Sequence, residues 1–192
     1  MAINLPVEVT MEIGQLQLRI DKLKLPINWD LPHKIHMTLN FMGHLEDADI
    51  VKVRQIVKQV ATGYNPFTLR PVAVDALYIR HEQSVVYLLA QDMDERLGDL
   101  QKELTVNLDK LTPQPRQKFL PHITIGRIRK ADPTFVKQTI DKLSQVEIDP
   151  LSQFAVEKID VMESLVSKAG SSYQKLGSFT LGNKETVLTE VS

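Results

Sequence analysis

A short pattern, His-x-Thr followed by an apolar residue, occurs twice in the chain, beginning at His36 and again at His122. In an extended strand, side chains two residues apart point to the same face. His36 therefore lies beside Thr38, and His122 lies beside Thr124. Because histidine titrates near neutrality, two imidazoles can supply one proton acceptor and one proton donor. Two imidazoles combined with two hydroxyls predict proton transfer to and from a phosphoryl group.

Two other interpretations of these histidines are open. The first is structural, because a lone histidine on a half-buried strand is commonly a hydrogen-bonded core residue. The second is a metal site, because His33 and His44 flank His36 in the sequence. No HExxH motif, carboxylate–histidine cluster or cysteine set accompanies them, and Pro32 disfavours a regular helix through His33. The duplication favours catalysis, and neither a metal nor another cofactor is expected.

The composition fits one ordinary globular domain. The chain has 192 residues, 43% of them hydrophobic, a formal net charge of −1 and no cysteine. No apolar run is long enough to span a bilayer, and the first residues lack the pattern of a secretory signal. We therefore expect a cytoplasmic location and no membrane contact. There is no phosphate loop and no dinucleotide fingerprint. The oligomeric state stays open, with a monomer as the working expectation.

A basic cluster accompanies the second motif. It consists of Arg116, Lys118, Arg127, Arg129 and Lys130. A chain that is nearly neutral overall must meet an anionic substrate with a local positive patch. A solvated strand edge is the alternative for such a cluster, but its position beside a candidate catalytic histidine favours anion binding.

Hydrophobic periodicity predicts an alternation of strands and helices. Helices are predicted at 6–23, 47–61, 93–111 and 132–143, and strands at 36–41, 67–79, 84–90, from 122 onward, at 154–165 and at 173–181. Asp47 and Asp132 are the predicted N-caps of the second and fourth helices. His81 is predicted to lie in a solvated hairpin turn, and the residues from Asn183 onward are predicted to form a loose tail.

The strand–helix–strand–strand order occurs twice, over 33–91 and 119–182 in approximate bounds, with an offset of 86 residues. We expect one bilobal domain over residues 1–192. In it, a pseudo-two-fold axis would bring the two His-x-Thr strands face to face across a cleft.

The two motifs resemble the signature of the 2H phosphoesterases. Their contexts, IHMTLNFMG and FLPHITIGR, are similar to those of the bacterial and archaeal RNA 2′,3′-cyclic phosphodiesterases, also called LigT-like or ThpR-like 2′-5′ RNA ligases. INLPVEV resembles the opening strand of that branch, shortened here, and MESLVSKAGSSYQKLGSF resembles its closing segment, with a tyrosine before the last strand. The resemblance implies an α+β fold, with two pseudo-symmetric lobes of antiparallel sheet, helices outside and a water-filled central cleft.

The resemblance also implies a reaction. A 2′,3′-cyclic phosphate, at the end of an RNA such as a tRNA half or in a cyclic nucleotide, would be opened to a 2′-phosphomonoester, and family members also join RNA ends reversibly through a 2′-5′ linkage without ATP. By the same resemblance, His36 is the general acid to the departing 3′ oxygen, and His122 is the general base to water. Thr38 and Thr124 would hold the non-bridging oxygens, and Arg127 would offset the developing charge.

The resemblance leaves open the role of Phe41 and the identity of the substrate. Phe41, after the first motif, would stack on the terminal base, or it would be a core residue. Another 2H reaction, such as 3′-5′ trimming of RNA ends or hydrolysis of 2′-5′ oligoadenylate or ADP-ribose cyclic phosphate, would use the same four residues. A module that binds nucleotides or RNA ends without turnover is the other alternative, although binding alone does not require two proton carriers.

Overall fold

The structure, a computed structural model, describes residues 1–77, 84–113, 118–129, 132–167 and 170–182. The helices in these ranges are α1 (Val7–Asp21), α2 (Asp47–Thr62), α3 (Leu97–Leu108) and α4 (Pro133–Leu143). The strands are β1 (Ala2–Asn4), β2 (Ile27–Trp29), β3 (His36–Thr38), β4 (Phe67–Leu77), β5 (Val85–Asp92), β6 (His122–Ile128), β7 (Phe154–Val156), β8 (Lys158–Ser167) and β9 (Gly170–Thr180). A 3-10 helix, Pro32–Lys34, precedes β3.

All of these strands belong to one antiparallel sheet. Its order is β7-β4-β5-β6-β3-β1-β8-β9, and β2 pairs with the later residues of β6. β7 and β8 are separated in sequence only by Glu157. β7 nevertheless pairs with β4 at one end of the order, while β8 pairs with β1 near the other end. The sheet must therefore curl until its two ends meet.

The order of elements recurs, and the two halves exchange their hairpins. β3-α2-β4-β5 is followed by β6-α4-β7-β8-β9, in which the short β7 stands between the helix and the hairpin, and α1 and α3 precede the two series. In the sheet, the hairpin β4–β5 borders β6, and the hairpin β8–β9 reaches β3 through β1. β3 and β6 are therefore hydrogen-bonded neighbours at the centre of the sheet. They lie side by side, which corrects the expectation from the sequence that they face each other across a cleft.

Strand alternation separates the core from the open face. Ile123 and Ile125 in β6 are fully buried, whereas His122 and Thr124 are only partly buried. Met37 in β3 is also fully buried. These apolar side chains share one core with the apolar stripes of the helices. Because the helices cover that face of the sheet, the opposite face of β3 and β6 is left open.

The structure corrects several predicted boundaries. α2 is capped by Glu46 without a side-chain hydrogen bond, and the predicted cap Asp47 is the first helical residue. Asp132 does cap α4, where its carboxylate accepts a hydrogen bond from the Thr134 amide. Met93, predicted as part of the third helix, lies before α3, because its amide still donates to a carbonyl of β4.

The predicted α+β class, with helices on an antiparallel sheet, is confirmed. The predicted turn at His81 and the predicted tail from Asn183 lie outside the described residues. Across the ranges that are described, no helix is long and apolar enough to cross a membrane.

Gly126 in β6 lies against β2 so closely that a side chain would not fit. A Cβ atom there would be 3.0 Å from the Asn28 carbonyl oxygen, 3.0 Å from the Trp29 ring and 3.1 Å from the Ile27 side chain. We predict that G126A lowers the free energy of unfolding by roughly 1–3 kcal/mol, because β2 must shift. G14A is the control, since a Cβ at Gly14 in α1 would meet nothing within 4 Å. It should raise the free energy of unfolding by about 0.5–1 kcal/mol.

Urea unfolding of the two variants beside the wild type measures both changes. A G126A protein as stable as the wild type would show that β2 is not packed against this glycine.

Candidate active site

β3 and β6 hold the four motif side chains on one face of the sheet. The buried residues at the centres of the two motifs pair with each other in the antiparallel register. In that register His36 lies opposite Thr124, and Thr38 lies opposite His122. Directly opposed residues of an antiparallel pair have Cβ atoms about 5 Å apart. The two imidazoles thus occupy two diagonal corners of a rectangle, and the two hydroxyls occupy the other corners.

Each imidazole is hydrogen-bonded to the carbonyl two residues before it. His36 Nδ1 lies 2.8 Å from the Lys34 oxygen, and His122 Nδ1 lies 2.8 Å from the Leu120 oxygen. Because a carbonyl oxygen can only accept, Nδ1 carries the proton in both rings. Nε2 is therefore the nitrogen that remains to accept or donate a proton. The hydrogen bond recurs with the same 86-residue offset as the motif.

A β-bulge in β6 brings Arg127 to the motif face. Consecutive residues of β5 pair with Gly126 and with Thr124, which leaves Ile125 as the extra residue. Strict alternation would have turned Arg127 to the face opposite Thr124. Instead, Arg127 Nη1 donates to both carboxylate oxygens of Asp30, at 2.8 and 2.9 Å. The Arg127 side chain stays 39% exposed, so it keeps N–H groups for a ligand.

The surroundings of His36 disfavour its protonated form. Burial lowers the pKa of His36 below its ordinary value of 6.5. The Lys34 carbonyl and the Asp30 carboxylate act in the opposite direction, and the Arg127 guanidinium adds to the lowering. Since burial dominates, His36 gives up its proton more readily than a histidine in water.

A cavity of about 370 Å³ opens beside His36. This volume falls in the range of small-molecule sites, which is about 300–1,000 Å³. His122 is not one of the residues that line the cavity, although Thr38, which lies opposite His122 across the two strands, is. The residues that line the cavity are Asp30, Lys34, His36, Thr38, Thr124, Arg127, Ser171 and Tyr173.

Asp30 and the residue that holds it, Gln17, were not among the site residues predicted from the sequence. Gln17 in α1 is 7% exposed. Its side-chain amide donates to the Asp30 carbonyl at 2.9 Å and to the Ile125 carbonyl at 2.8 Å. Gln17 thus ties the bulge of β6 to the loop that carries Asp30, and Asp30 holds Arg127. A single polar residue on the apolar stripe of α1 was the available signal.

Phe41, Arg129 and Lys118 are not among the residues that line the cavity. Phe41 follows β3 and is 73% exposed, so the core alternative is wrong, and stacking on a base stays a prediction. Arg129 bonds to a side chain of β2, and Lys118 is exposed. Arg116 and Lys130 lie outside the described residues.

The histidines considered for a metal site do not form a cluster of metal ligands in the described ranges. His33 is exposed in the 3-10 helix. The His44 side chain is 92% exposed and lies 3.7 Å from Glu46. Within the ranges that the structure describes, no group of three or more His, Cys, Asp or Glu residues could hold a metal ion.

The curled α+β sheet with two adjacent His-x-Thr strands defines a known class of protein. A sequence model of the 2′-5′ RNA ligase superfamily matches residues 6–167, and the chain belongs to this family. The relationship expected from the two motifs is thereby confirmed.

Relatives and solved structures cover nearly the whole chain. The RNA 2′,3′-cyclic phosphodiesterase of Aquifex aeolicus strain VF5 is 26% identical over 175 residues, 88% of this chain and 92% of that protein. The protein TT0787 of Thermus thermophilus has a TM-score of 0.75 at 21% identity and covers 94% of this chain and 96% of its own. E. coli LigT complexed with 3′-AMP has a TM-score of 0.72 at 20% identity, with 94% and 95% covered. Both solved structures share the fold.

We predict that His36 in the folded protein titrates below 6.5, because burial lowers its pKa. Between the lowered pKa of His36 in the folded protein and its ordinary pKa in the unfolded chain, the unfolded chain binds more protons than the folded one. The contribution of His36 to stability is therefore complete above 6.5 and is lost as the pH falls through the folded-state pKa. Proton NMR of the imidazole resonances measures the midpoint, and H36N assigns the signal. A midpoint at or above 6.5 would contradict the burial described here.

Proposed function

We propose that this protein opens the 2′,3′-cyclic phosphate at an RNA end to a 2′-phosphomonoester, with His36 and His122 as proton carriers. The observation that carries the proposal is the pair of Nδ1 hydrogen bonds, which leaves Nε2 available on two diagonally placed imidazoles. The name of the Aquifex aeolicus relative and the 3′-AMP bound to E. coli LigT agree with this class of substrate. RNA ends, including tRNA halves, and cyclic nucleotides are the proposed partners.

In the proposed step, water attacks phosphorus while the bond to the 3′ oxygen breaks. Nε2 of neutral His122 takes a proton from the water, and Nε2–H of protonated His36 gives its proton to the departing 3′ oxygen. His122 ends protonated and His36 ends neutral, and exchange with solvent restores both. Because burial lowers the pKa of His36, its imidazolium is a stronger acid. A general acid or base contributes about 10²–10⁴-fold to the rate.

The two threonines lie between the imidazoles and would donate their hydroxyls to the non-bridging oxygens. Arg127, oriented by Asp30, would offer its remaining N–H groups to the negative charge that develops on the phosphoryl group. An imidazole carries every proton in this scheme, so the scheme invokes neither ATP nor a metal. With the 5′-hydroxyl of a second RNA end in place of water, the same step forms a 2′-5′ linkage, and the histidines exchange roles in the reverse direction.

The reaction products distinguish the proposed function from its two alternatives, another 2H reaction and binding without turnover. Digestion of an oligonucleotide that ends in a 2′,3′-cyclic phosphate should give a monoester that resists a 3′-specific phosphatase. Phosphorus NMR should identify this product as the 2′-phosphate. A 3′-phosphate product, or preference for a 3′-5′ or 2′-5′ diester, would favour another 2H reaction. Binding without turnover would favour the nucleotide-binding module.

We predict that H36N and H122N each lower kcat on this oligonucleotide by about 10²–10⁴-fold, because each removes one proton carrier. H33N is the matched control, since His33 is exposed three residues before His36. It should leave kcat unchanged. Thermal unfolding of the three variants checks that the fold is intact. Near-wild-type turnover by H36N or H122N would falsify the two-histidine mechanism.

A further inference from the structure

Two tyrosines recur with the same spacing as the two histidines. Tyr87 in β5 and Tyr173 in β9 are 86 residues apart, as are His36 and His122. The internal repeat therefore includes a third kind of side chain besides histidine and threonine. The proposed proton transfer involves neither ring.

Each tyrosine packs edge-on against the histidine of the other half. The Tyr173 and His36 ring centroids are 4.7 Å apart with an interplanar angle of 77°. The Tyr87 and His122 centroids are 5.5 Å apart at 72°. Aromatic rings favour such edge-to-face contacts at centroid distances of roughly 4.5–7 Å. The exchange of hairpins between the halves produces this crossed pairing.

We propose that Tyr87 and Tyr173 are positioning residues, which fix the planes of the His122 and His36 imidazoles. The hydrogen bond at Nδ1 fixes one atom of each imidazole but allows the ring to tilt about that atom. A tyrosine ring against the imidazole removes this freedom, and Nε2 then keeps its direction. This inference rests on the proposed function, because it assigns the tyrosines to the two proton carriers of that mechanism.

The two tyrosines differ in burial and in hydrogen bonding. Tyr87 is buried, and its hydroxyl donates to Asp75 Oδ2 at 3.3 Å. Burial, followed by the Asp75 carboxylate, raises the pKa of Tyr87, so it stays a neutral ring. Tyr173 is half-buried and lines the cavity beside Ser171. At both places the contact with the imidazole is made by the ring, and a phenylalanine retains that ring.

The test compares ring removal with hydroxyl removal. Y173L should lower kcat on the cyclic-phosphate oligonucleotide about 10–100-fold with little change in KM, because a misplaced catalytic group costs up to about 10²-fold. Y173F should keep kcat close to that of the wild type. Y87L and Y87F form the equivalent pair for His122.

Imidazole NMR supplies a readout that is independent of substrate. In Y173L, water reaches His36 more freely, so its titration midpoint should rise toward the ordinary value, while the His122 resonances stay in place. The charged groups near His36, namely the N-terminal ammonium, Asp30, Arg127 and Lys34, are unchanged by the substitution. Y173F should titrate like the wild type. If the wild-type protein does not turn over the oligonucleotide, the proposed function is wrong. The His36 titration midpoint in Y173L would still test the contact between the Tyr173 ring and His36.

Two results would overturn the proposal. One is Y173L with unchanged kcat and an unmoved His36 midpoint. The other is Y173F with the same loss of kcat as Y173L, because the hydroxyl and not the ring would then matter. If thermal unfolding shows that Y173L does not fold, kcat of Y87L and Y87F decides instead. Loss of kcat in Y87L alone would support the proposal, and no loss, or an equal loss in both, would overturn it.

Discussion

The pairing of Met37 with Ile123 is the contact on which the whole site depends. Both side chains are fully buried, and they oppose each other across the two central strands. A slip of one residue in this register would turn every side chain of one strand to the other face. His36 and Thr38 would then enter the apolar core, and Met37 would enter water. The burial of apolar side chains therefore decides where the proton carriers lie.

The repeat gives the two histidines equivalent contacts, but the residues around them differ. Each histidine has the same carbonyl partner and a tyrosine from the other half. Beside His36, however, lies the ion pair of Asp30 with Arg127, whereas the tyrosine beside His122 is bonded to Asp75. Hydrolysis needs one proton donor and one proton acceptor, so the two imidazoles must have different roles. The unequal neighbours allow two copies of one motif to take different roles.

The sequence was sufficient for features that depend on local spacing. Alternation along a strand placed His36 and Thr38 on one face, and helical periodicity located the four helices. The sequence was not sufficient to predict features that depend on contacts between distant segments. β2 is only three residues long, which is too short to show the apolar alternation that identifies a strand. The bulge at Ile125 breaks the alternation that the prediction assumed, and the bond from Arg127 to Asp30 spans 97 residues. The exchange of hairpins also depends on long-range contacts, because the equal spacing of the two tyrosines indicates the repeat but not which half each ring contacts.

Nitrogen-15 NMR of the two imidazoles at a pH above their titration tests whether both rings are held by Nδ1 with Nε2 open. The nitrogen shifts and the couplings to ring protons report which nitrogen carries the proton. We expect the Nδ1–H tautomer for both His36 and His122, because each donates to a backbone carbonyl. We also expect added inorganic phosphate to perturb Nε2 in both rings. A dominant Nε2–H tautomer in either ring would contradict the geometry from which the proton transfer was derived.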